Sequence, residues 1–206
     1  MSKIITISRE FGSGGRELGK RLADNLGFAY YDREILEEIA KQTDTGEWYA
    51  ENLLERNFSA SIPLHFGSSF TAYQSPTTQQ TVKLMVAEQK VLCRLADKGN
   101  CIIVGRGAAA LLEPWKPFSI FVYADMESKL ARCRERAPES ENLSDKELMK
   151  KIRQVDAQRA KIIQWSAEVK WGERGGYRLC VNTTGLPIKT IAAAVADYAR
   201  HIMEIK

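Results

Sequence analysis

A short glycine-rich loop between a predicted strand and a predicted helix constrains the fold of this chain more than any other feature. The apolar run at residues 3–8 predicts a buried strand, and residues 16–25 have the spacing of a helix. The first N–H groups of such a helix, together with its dipole, favour an anion. A tight turn that binds nothing is the alternative, although glycines there cost backbone entropy without adding packing. We predict that a phosphate binds at Gly12, Ser13, Gly14, Gly15 and Arg16.

The loop lacks the charged part of the pattern G-x-x-x-x-G-K-[ST], in which the lysine contacts phosphates and the hydroxyl holds Mg²⁺. With Gly14 as the second glycine, Arg9 stands at the first glycine and Gly15 at the lysine. Neither Arg16 nor Glu17, the next two residues, carries a hydroxyl. The sequence therefore keeps the backbone N–H groups of a phosphate loop and loses its usual lysine.

A dinucleotide site is a second interpretation of the same loop. Asp32 ends the next predicted strand, about twenty residues after the loop, where an NAD site has its ribose-binding acid. The pattern G-x-G-x-x-G, however, requires a glycine where Glu17 stands. A carboxylate there would face the pyrophosphate, so we rank this interpretation below the phosphate loop.

Length and composition exclude several other classes. The 206 residues suffice for one compact domain with a small insertion, and a net charge of +4 does not favour broad nucleic-acid binding. The four cysteines form no C-x-x-C pair and there are two histidines, so we expect no zinc site, disulfide framework or histidine-based triad. Without a membrane-length apolar run or a signal peptide, the chain is expected to be cytoplasmic, with no membrane or nucleic-acid partner. The sequence leaves the oligomeric state open.

Predicted strands and helices alternate along the chain, which favours a parallel α/β sheet. The predicted strands are 3–8, 28–31, 101–104, 118–123 and 179–182. The predicted helices are 16–25, 34–41, 81–97, 126–136, 144–165 and 187–205. Ser144 and Glu147 have the spacing of a capping box at the start of one of these helices. Residues 43–78 show little periodicity, and we interpret them as an insertion or flap.

Arginines in two further places suit a phosphate ligand. Gly105-Arg106-Gly107 follows a buried strand, where open α/β sheets bind ligands and an arginine can bind a phosphate with two hydrogen bonds. A surface arginine in a loop is the alternative. Residues 128–163 hold ten basic and six acidic side chains. A solvated helix surface is the default explanation, but phosphoryl transfer needs cations around charged oxygens.

The chain resembles the cytidylate kinases, and more closely the divergent cytidylate kinase-like family of bacteria. The matching segments occur in the right order and span nearly the whole chain: ISREFGSGGRELGKRLAD, FAYYDREIL, IIVGRGAA, KLARCRER, DAQRAKI and YRLCVNTTGLPI. The resemblance implies a single domain over residues 1–206 with a P-loop NTP hydrolase-type fold, a parallel sheet flanked by helices. It also implies an NMP-binding insertion near 43–80 and a mobile helical lid near 132–160.

The resemblance also implies site residues. In cytidylate kinases an arginine of a G-R motif and both charged residues of a D-x-x-R motif contact the monophosphate or the transferring phosphates. These correspond to Arg106, Asp156 and Arg159, with Asp156 orienting an arginine or the acceptor. The family arginine four residues before that aspartate corresponds to Ile152, and Arg153 is only its neighbour.

The predicted function is transfer of the γ-phosphoryl group of ATP, with Mg²⁺, to CMP, dCMP or a related small phosphate-bearing acceptor. A nucleotide- or phosphate-binding protein without transfer activity is the runner-up, and an NAD(P)-dependent oxidoreductase is third. Charge neutralisation is expected from Arg106, Arg132, Arg136 and Arg159.

Two pairs of neighbouring residues complete the predicted site. Asp32 and Arg33 are expected to line the acceptor side. Arg16 is expected to replace the missing lysine, because a guanidinium is long and always charged. Glu17 is expected to bind Mg²⁺ directly or through water. The alternative is that Arg16 and Glu17 form structural ion pairs in a relic site.

Overall fold

A five-stranded parallel sheet forms the centre of the molecule. The computed structural model describes residues 3–56, 76–138, 143–166 and 170–205. The strands are β1 (Ile4–Arg9), β2 (Ala29–Tyr31), β3 (Cys101–Val104), β4 (Phe118–Tyr123) and β5 (Leu179–Asn182). Their order in the sheet is β2-β3-β1-β4-β5, with Ile5 of β1 paired to Ile102 on one side and Phe118 on the other. The predicted α/β fold class is confirmed.

Helices cover both faces of the sheet. In the described ranges they are α1 (Gly15–Leu26), α2 (Arg33–Thr43), α3 (Glu47–Glu51), α4 (Pro76–Lys98), α5 (Ala108–Leu111), α6 (Met126–Glu135), α7 (Asp145–Ser166) and α8 (Ile188–Met203). A π-helical turn, Asn52–Arg56, continues α3. None of these helices is both long enough and apolar enough to cross a membrane.

The sheet is buried on both faces because its strands are almost continuously apolar. Neighbouring residues of β1 enter different clusters: Ile4 packs with α2 and α4, whereas Ile5 packs with α1 and α8. Leu18 and Leu22, one turn apart on α1, are fully buried in the second cluster. Gly27 ends α1 in the left-handed conformation, where a glycine has no Cβ to clash.

Predicted and observed elements agree closely where the strands are apolar. The strands at 101–104, 118–123 and 179–182 have their predicted bounds. Within the predicted insertion, residues 47–56 are helical and α4 begins at Pro76, five residues before its predicted start. The rest of that insertion, residues 57–75, lies outside the described residues, as do 139–142 of the predicted lid.

The order of the strands places two loops together. β1 and β3 are neighbours, although the chain visits β2 between them on the far side of β3. The loops that follow β1 and β3 therefore leave the same edge of the sheet side by side. Open α/β sheets bind ligands at such a reversal, beyond the carboxyl ends of the strands.

Candidate functional site

The glycine loop after β1 has a shape that side chains would prevent. Gly12 and Gly14 have φ angles of 78° and 83°. A Cβ on Gly14 would lie 2.5 Å from Cδ1 of Ile188, and one on Gly12 would lie 2.9 Å from the carbonyl oxygen of Lys129. The loop can therefore take this path only with glycine at both positions.

Two side-chain hydroxyl groups form hydrogen bonds with backbone carbonyl groups of the loop. Ser13 is fully buried, and its Oγ donates a hydrogen bond of 2.8 Å to the carbonyl oxygen of Glu10. Thr183, after β5, donates through Oγ1 to the carbonyl oxygen of Ser13 at 2.7 Å. Gly14 is the N-cap residue of α1. The loop is therefore a hydrogen-bonded turn at a helix N-terminus, in the predicted strand-loop-helix order.

A cavity of about 260 Å³ lies against the loop, and we call it the anion cavity. Among its described lining residues, Glu10 is the one acid and six side chains are basic. The basic residues are Arg9, Arg16, Arg132, Arg136, Lys151 and Arg159. Such an excess of cations beside a helix N-terminus suits a polyanion such as a nucleotide phosphate chain.

A second cavity, of about 760 Å³, adjoins the first, and we call it the acceptor cavity. Arg106 and Arg159 both line it, so the structure brings these two predicted acceptor residues together. Arg33 is exposed and, like Asp32 and Asp156, is not among the residues that line either cavity. The two cavities share Arg9, Phe11, Arg16, Lys151 and Arg159.

Arg106 enters the acceptor cavity from the loop after β3. Its backbone is left-handed, with φ of 60°, between Gly105 and Gly107. Its side chain is 7% exposed, and Nη1 lies 4.0 Å from Oε1 of Glu88 on α4. The arginine that sequence analysis placed in a loop is therefore a buried cation of the site.

Arg159 joins the loop after β1 to α7. Its Nη1 donates to the carbonyl oxygen of Arg9 at 3.0 Å, and its Cζ lies 5.9 Å from the centre of the Phe11 ring. Asp156, one turn earlier on α7, accepts from the backbone N–H of Phe11 at 2.7 Å. The D-x-x-R pair thus fixes the position of α7 against the glycine loop.

A buried charge cluster next to the glycine loop includes a residue that the sequence did not predict in the site. Lys129 on α6 is 7% exposed, and its Nζ lies 2.6 Å from Glu10 and 3.4 Å from Asp156. Burial raises the pKa of the Asp156 carboxyl, although the Phe11 N–H, Lys129 and Arg159 favour its charged form. The one sequence feature that could have indicated it is the position of Lys129 among apolar residues of a helix that is otherwise rich in charged side chains.

Asp32 holds two arginines with one carboxylate. Its Oδ2 forms an ion pair with Nε of Arg16, and its Oδ1 lies 3.8 Å from Nη2 of Arg9. The carboxylate is 9% exposed, whereas Arg16 is 67% exposed. Arg16 lines both cavities, whereas Asp32 lines neither and reaches the site through its contacts with these two arginines.

Both carboxylate oxygens of Glu17 contact arginines. Oε1 accepts from Nε of Arg21 at 2.8 Å, and Oε2 forms an ion pair with Arg136. No group of three or more metal-ligating side chains occurs in the described ranges. Glu17 lines neither cavity. Its single carboxylate is compatible with Mg²⁺ that arrives with a nucleotide, because Mg²⁺ is commonly held by phosphates, waters and one or two carboxylates.

Arg132 contacts the segment between β5 and α8. It forms hydrogen bonds with the carbonyl oxygens of Thr183 and Leu186 and with Oγ1 of Thr183. Burial, and then the charge of Arg136, lower the pKa of the Arg132 guanidinium. Arg132 and Arg136 both line the anion cavity, as their predicted roles require, but each also has a protein partner.

Comparison with known families gives one match over most of the chain. The model of the family described as "Cytidylate kinase-like family" matches residues 4–185. No curated protein matches the chain.

Solved structures resemble the fold over almost its full length. An uncharacterized protein from Eubacterium ventriosum ATCC 27560 is 24% identical, with a TM-score of 0.68, over 96% of this chain and 98% of that one. Shikimate kinase from Bacteroides thetaiotaomicron is 16% identical, with a TM-score of 0.58, over 99% of both chains. Shikimate kinase from Acinetobacter baumannii, in complex with shikimate, is 16% identical, with a TM-score of 0.53, over 100% and 95%. At these identities the similarity supports the fold alone.

Proposed function

This chain belongs to the cytidylate kinase-like family, and we propose that it transfers the γ-phosphoryl group of ATP to CMP, dCMP or another small phosphate-bearing acceptor. One observation carries the proposal: the anion cavity and the acceptor cavity meet, and four of the five residues that they share are basic. Phosphoryl transfer requires donor and acceptor in line, with cations around the moving group. The shared wall of the two cavities supplies such cations at the place where donor and acceptor would meet.

The proposed roles follow from the cavity that each side chain lines. The N–H groups of the glycine loop and Arg16 bind the phosphates of ATP in the anion cavity. Arg106 binds the phosphate of the acceptor, and Arg159, which lines both cavities, contacts the group in transit. Because Asp156 holds α7 against the loop, it positions Arg159 relative to both.

The segment 132–160 acts as a lid in this proposal, within a single domain over residues 1–206. Closure would bring Arg132 and Arg136 towards the phosphates and exclude water, which would otherwise hydrolyse ATP. Mg²⁺ would be held by the ATP phosphates, with Glu17 as the proposed protein ligand. Glu17 would then exchange its contact with Arg136 for the metal.

The acceptor side contains both charged and amide side chains. Gln154 and Gln158 on α7 and Asn52 line the acceptor cavity together with Arg106. Amides can pair with the edge of a base, which supports a nucleotide acceptor bound beside the proposed NMP-binding insertion at 43–80. Asp32 and Arg33, which were expected to line the acceptor side, line neither cavity, so in this proposal Asp32 acts through Arg9 and Arg16. A need for ATP also suits the cytoplasmic location that the composition predicts.

A steady-state screen tests the proposal. ATP and Mg²⁺ are supplied with each common nucleoside monophosphate, and ADP formation is followed with and without the acceptor. We expect acceptor-dependent ADP formation with at least CMP or dCMP. Shikimate, which carries a carboxylate and no phosphate, is the negative control. Turnover with shikimate and with no monophosphate would contradict the proposed acceptor class. The absence of turnover with every acceptor would contradict the proposed transfer activity.

A binding protein without transfer activity is the second candidate. The pairing of Glu17 with Arg21 and Arg136, and the glycine at the lysine position, favour it. If the protein only binds nucleotides, ATP should bind but no acceptor should be phosphorylated. The same screen, combined with a direct binding measurement, distinguishes the two candidates.

A further inference from the structure

The space of the missing lysine side chain is filled from the neighbouring strand. A Cβ on Gly15 would lie 2.5 Å from Cβ of Arg9 and 3.1 Å from its Cγ. Contacts this short require one of the two residues to move. While Arg9 keeps its position at the end of β1, residue 15 can carry no side chain, so the loss of the lysine and the presence of Arg9 are one structural change.

The guanidinium of Arg9 uses a second glycine on another loop. A Cβ on Gly105, after β3, would lie 1.8 Å from Nη1 of Arg9. Gly105 also has a φ of 81°, which favours glycine. Two glycines ninety positions apart therefore make room for one arginine side chain, which crosses the gap between the ends of β1 and β3.

The exposure and charge of Arg9 also suit an anionic ligand. The Arg9 side chain is 12% exposed and lines both the anion cavity and the acceptor cavity. Asp32 holds Arg9 through one oxygen and Arg16 through the other, so these three side chains carry one net positive charge. A largely buried guanidinium at the wall of two cavities suits an anion that reaches from one cavity into the other.

We propose that Arg9 is the functional replacement of the phosphate-loop lysine. Its guanidinium, carried on β1 instead of α1, contacts the β- and γ-phosphates of a bound nucleoside triphosphate, and Asp32 is its positioning residue. Arg16 adds a second cation from the helix side. The inference rests on the proposed function for the identity of the ligand, but its test uses binding and does not depend on transfer.

The first test measures the affinity for ATP with Mg²⁺, and for AMP, by titration calorimetry. Arg9→Met keeps most of the stem and removes the charge, and we expect it to weaken ATP binding about 10- to 100-fold without affecting AMP. Arg9→Lys should recover part of the loss. Asp32→Asn should also weaken the binding of ATP and leave the binding of AMP unchanged. A purely structural defect would weaken the binding of both. Arg94→Met is the matched control, because Arg94 pairs with Glu38 on the outer surface at 3.0 Å.

The second test moves the cation back to the helix. Gly15→Lys alone should fail to bind ATP, because its Cβ would meet Arg9. The double variant Arg9→Gly, Gly15→Lys removes that stem and restores the two glycines and the lysine of the common pattern, without its hydroxyl, so we expect it to bind ATP more tightly than Arg9→Gly. Circular dichroism and unfolding without ligand confirm that each variant is folded.

Three results would overturn the inference: unchanged ATP affinity in Arg9→Met, equal loss of ATP and AMP in that variant, or no ATP binding by the wild-type protein. A wild type that binds ATP through Arg9 and transfers to no acceptor supports the inference and refutes the proposed function. Full transfer activity in Arg9→Met would refute the inference about Arg9 and support the proposed function.

Discussion

Arg16 is highly exposed and is tied to the site by its contact with Asp32. An ion pair with such an exposed partner contributes about 0–1 kcal/mol to stability. We therefore expect Arg16→Ala to keep the fold, with a change in unfolding free energy below about 1 kcal/mol, and to lower the rate of transfer, because the second cation beside the loop is removed. Denaturant unfolding and steady-state kinetics measure the two effects separately. If Arg16→Ala were as active as the wild type, Arg9 would suffice as the loop cation and Arg16 would have no part in transfer.

Arg106 and Arg159 reach the acceptor cavity from loops and helices far apart in the sequence. If each stabilises transition-state charge, Arg106→Ala and Arg159→Ala should each lower kcat by about 10²-fold, as does the loss of one preorganised donor. Arg153→Ala is the matched control on the same helix, because Arg153 is exposed and lines neither cavity. If Arg106→Ala or Arg159→Ala kept full activity, the replaced arginine would have no role in catalysis.

Asp156 makes the stability depend on pH. Burial raises the pKa of its carboxyl in the folded state, so the folded protein holds this proton to higher pH than the unfolded chain does. The stability that this raised pKa contributes is fully present below the pKa of Asp156 in the unfolded chain, and it is lost as the pH rises through the pKa of Asp156 in the folded protein. We expect the stability of the wild type relative to Asp156→Asn to fall with rising pH over that range. Denaturant titrations in steps of pH measure it, and parallel profiles would contradict the prediction.

At the scale of elements, Lys129 connects α6, the glycine loop and α7 through Glu10 and Asp156. Lys129→Met would leave two nearby carboxylates without their shared cation. We expect a loss of about 3 kcal/mol in unfolding free energy, at the low end for a broken buried pair because Glu10 remains partly exposed. Lys150→Met, at an exposed position of α7, is the control and should change stability by less than about 0.5 kcal/mol.

The sequence predicted the sheet well because a strand buried on both faces must be apolar throughout. The run at 101–104 has no polar residue and is fully buried. Residues 47–56 were not predicted as helical because their pattern is too short to show a period: over 47–54, where burial is described, Ala50, Leu53 and Leu54 are the buried residues. Tertiary packing, and not local propensity, defines that turn.

The site was predictable where it depends on local chain order and was missed where it depends on tertiary contacts. The glycine loop and the arginine after β3 follow from strand-loop-helix order, so both were found. The inward course of Arg9 depends on Gly15 and Gly105, which are adjacent only in the folded chain. Lys129 was missed for a similar reason, since its two acidic partners come from different elements.

At the scale of the whole molecule, the reversal of strand order between β1 and β3 creates one continuous cationic crevice. The glycine loop follows β1 and the loop with Arg106 follows β3, so the anion cavity and the acceptor cavity adjoin where the sheet reverses. The third element, α7, lies across both cavities through Lys151 and Arg159. Binding of one ligand should therefore affect how the other is held.

Thermal unfolding with ligands tests this arrangement in the whole protein. A ligand that binds only the folded state stabilises it by about 2.7 kcal/mol at 100 times its Kd. We expect a non-hydrolysable ATP analogue with Mg²⁺ to raise the unfolding temperature, and CMP to raise it further in the presence of the analogue. Arg106→Ala should keep the first shift and lose the second, because Arg106 lines only the acceptor cavity. A shift with the analogue alone would favour the binding protein without transfer, and a shift with NAD(P) alone would favour the oxidoreductase.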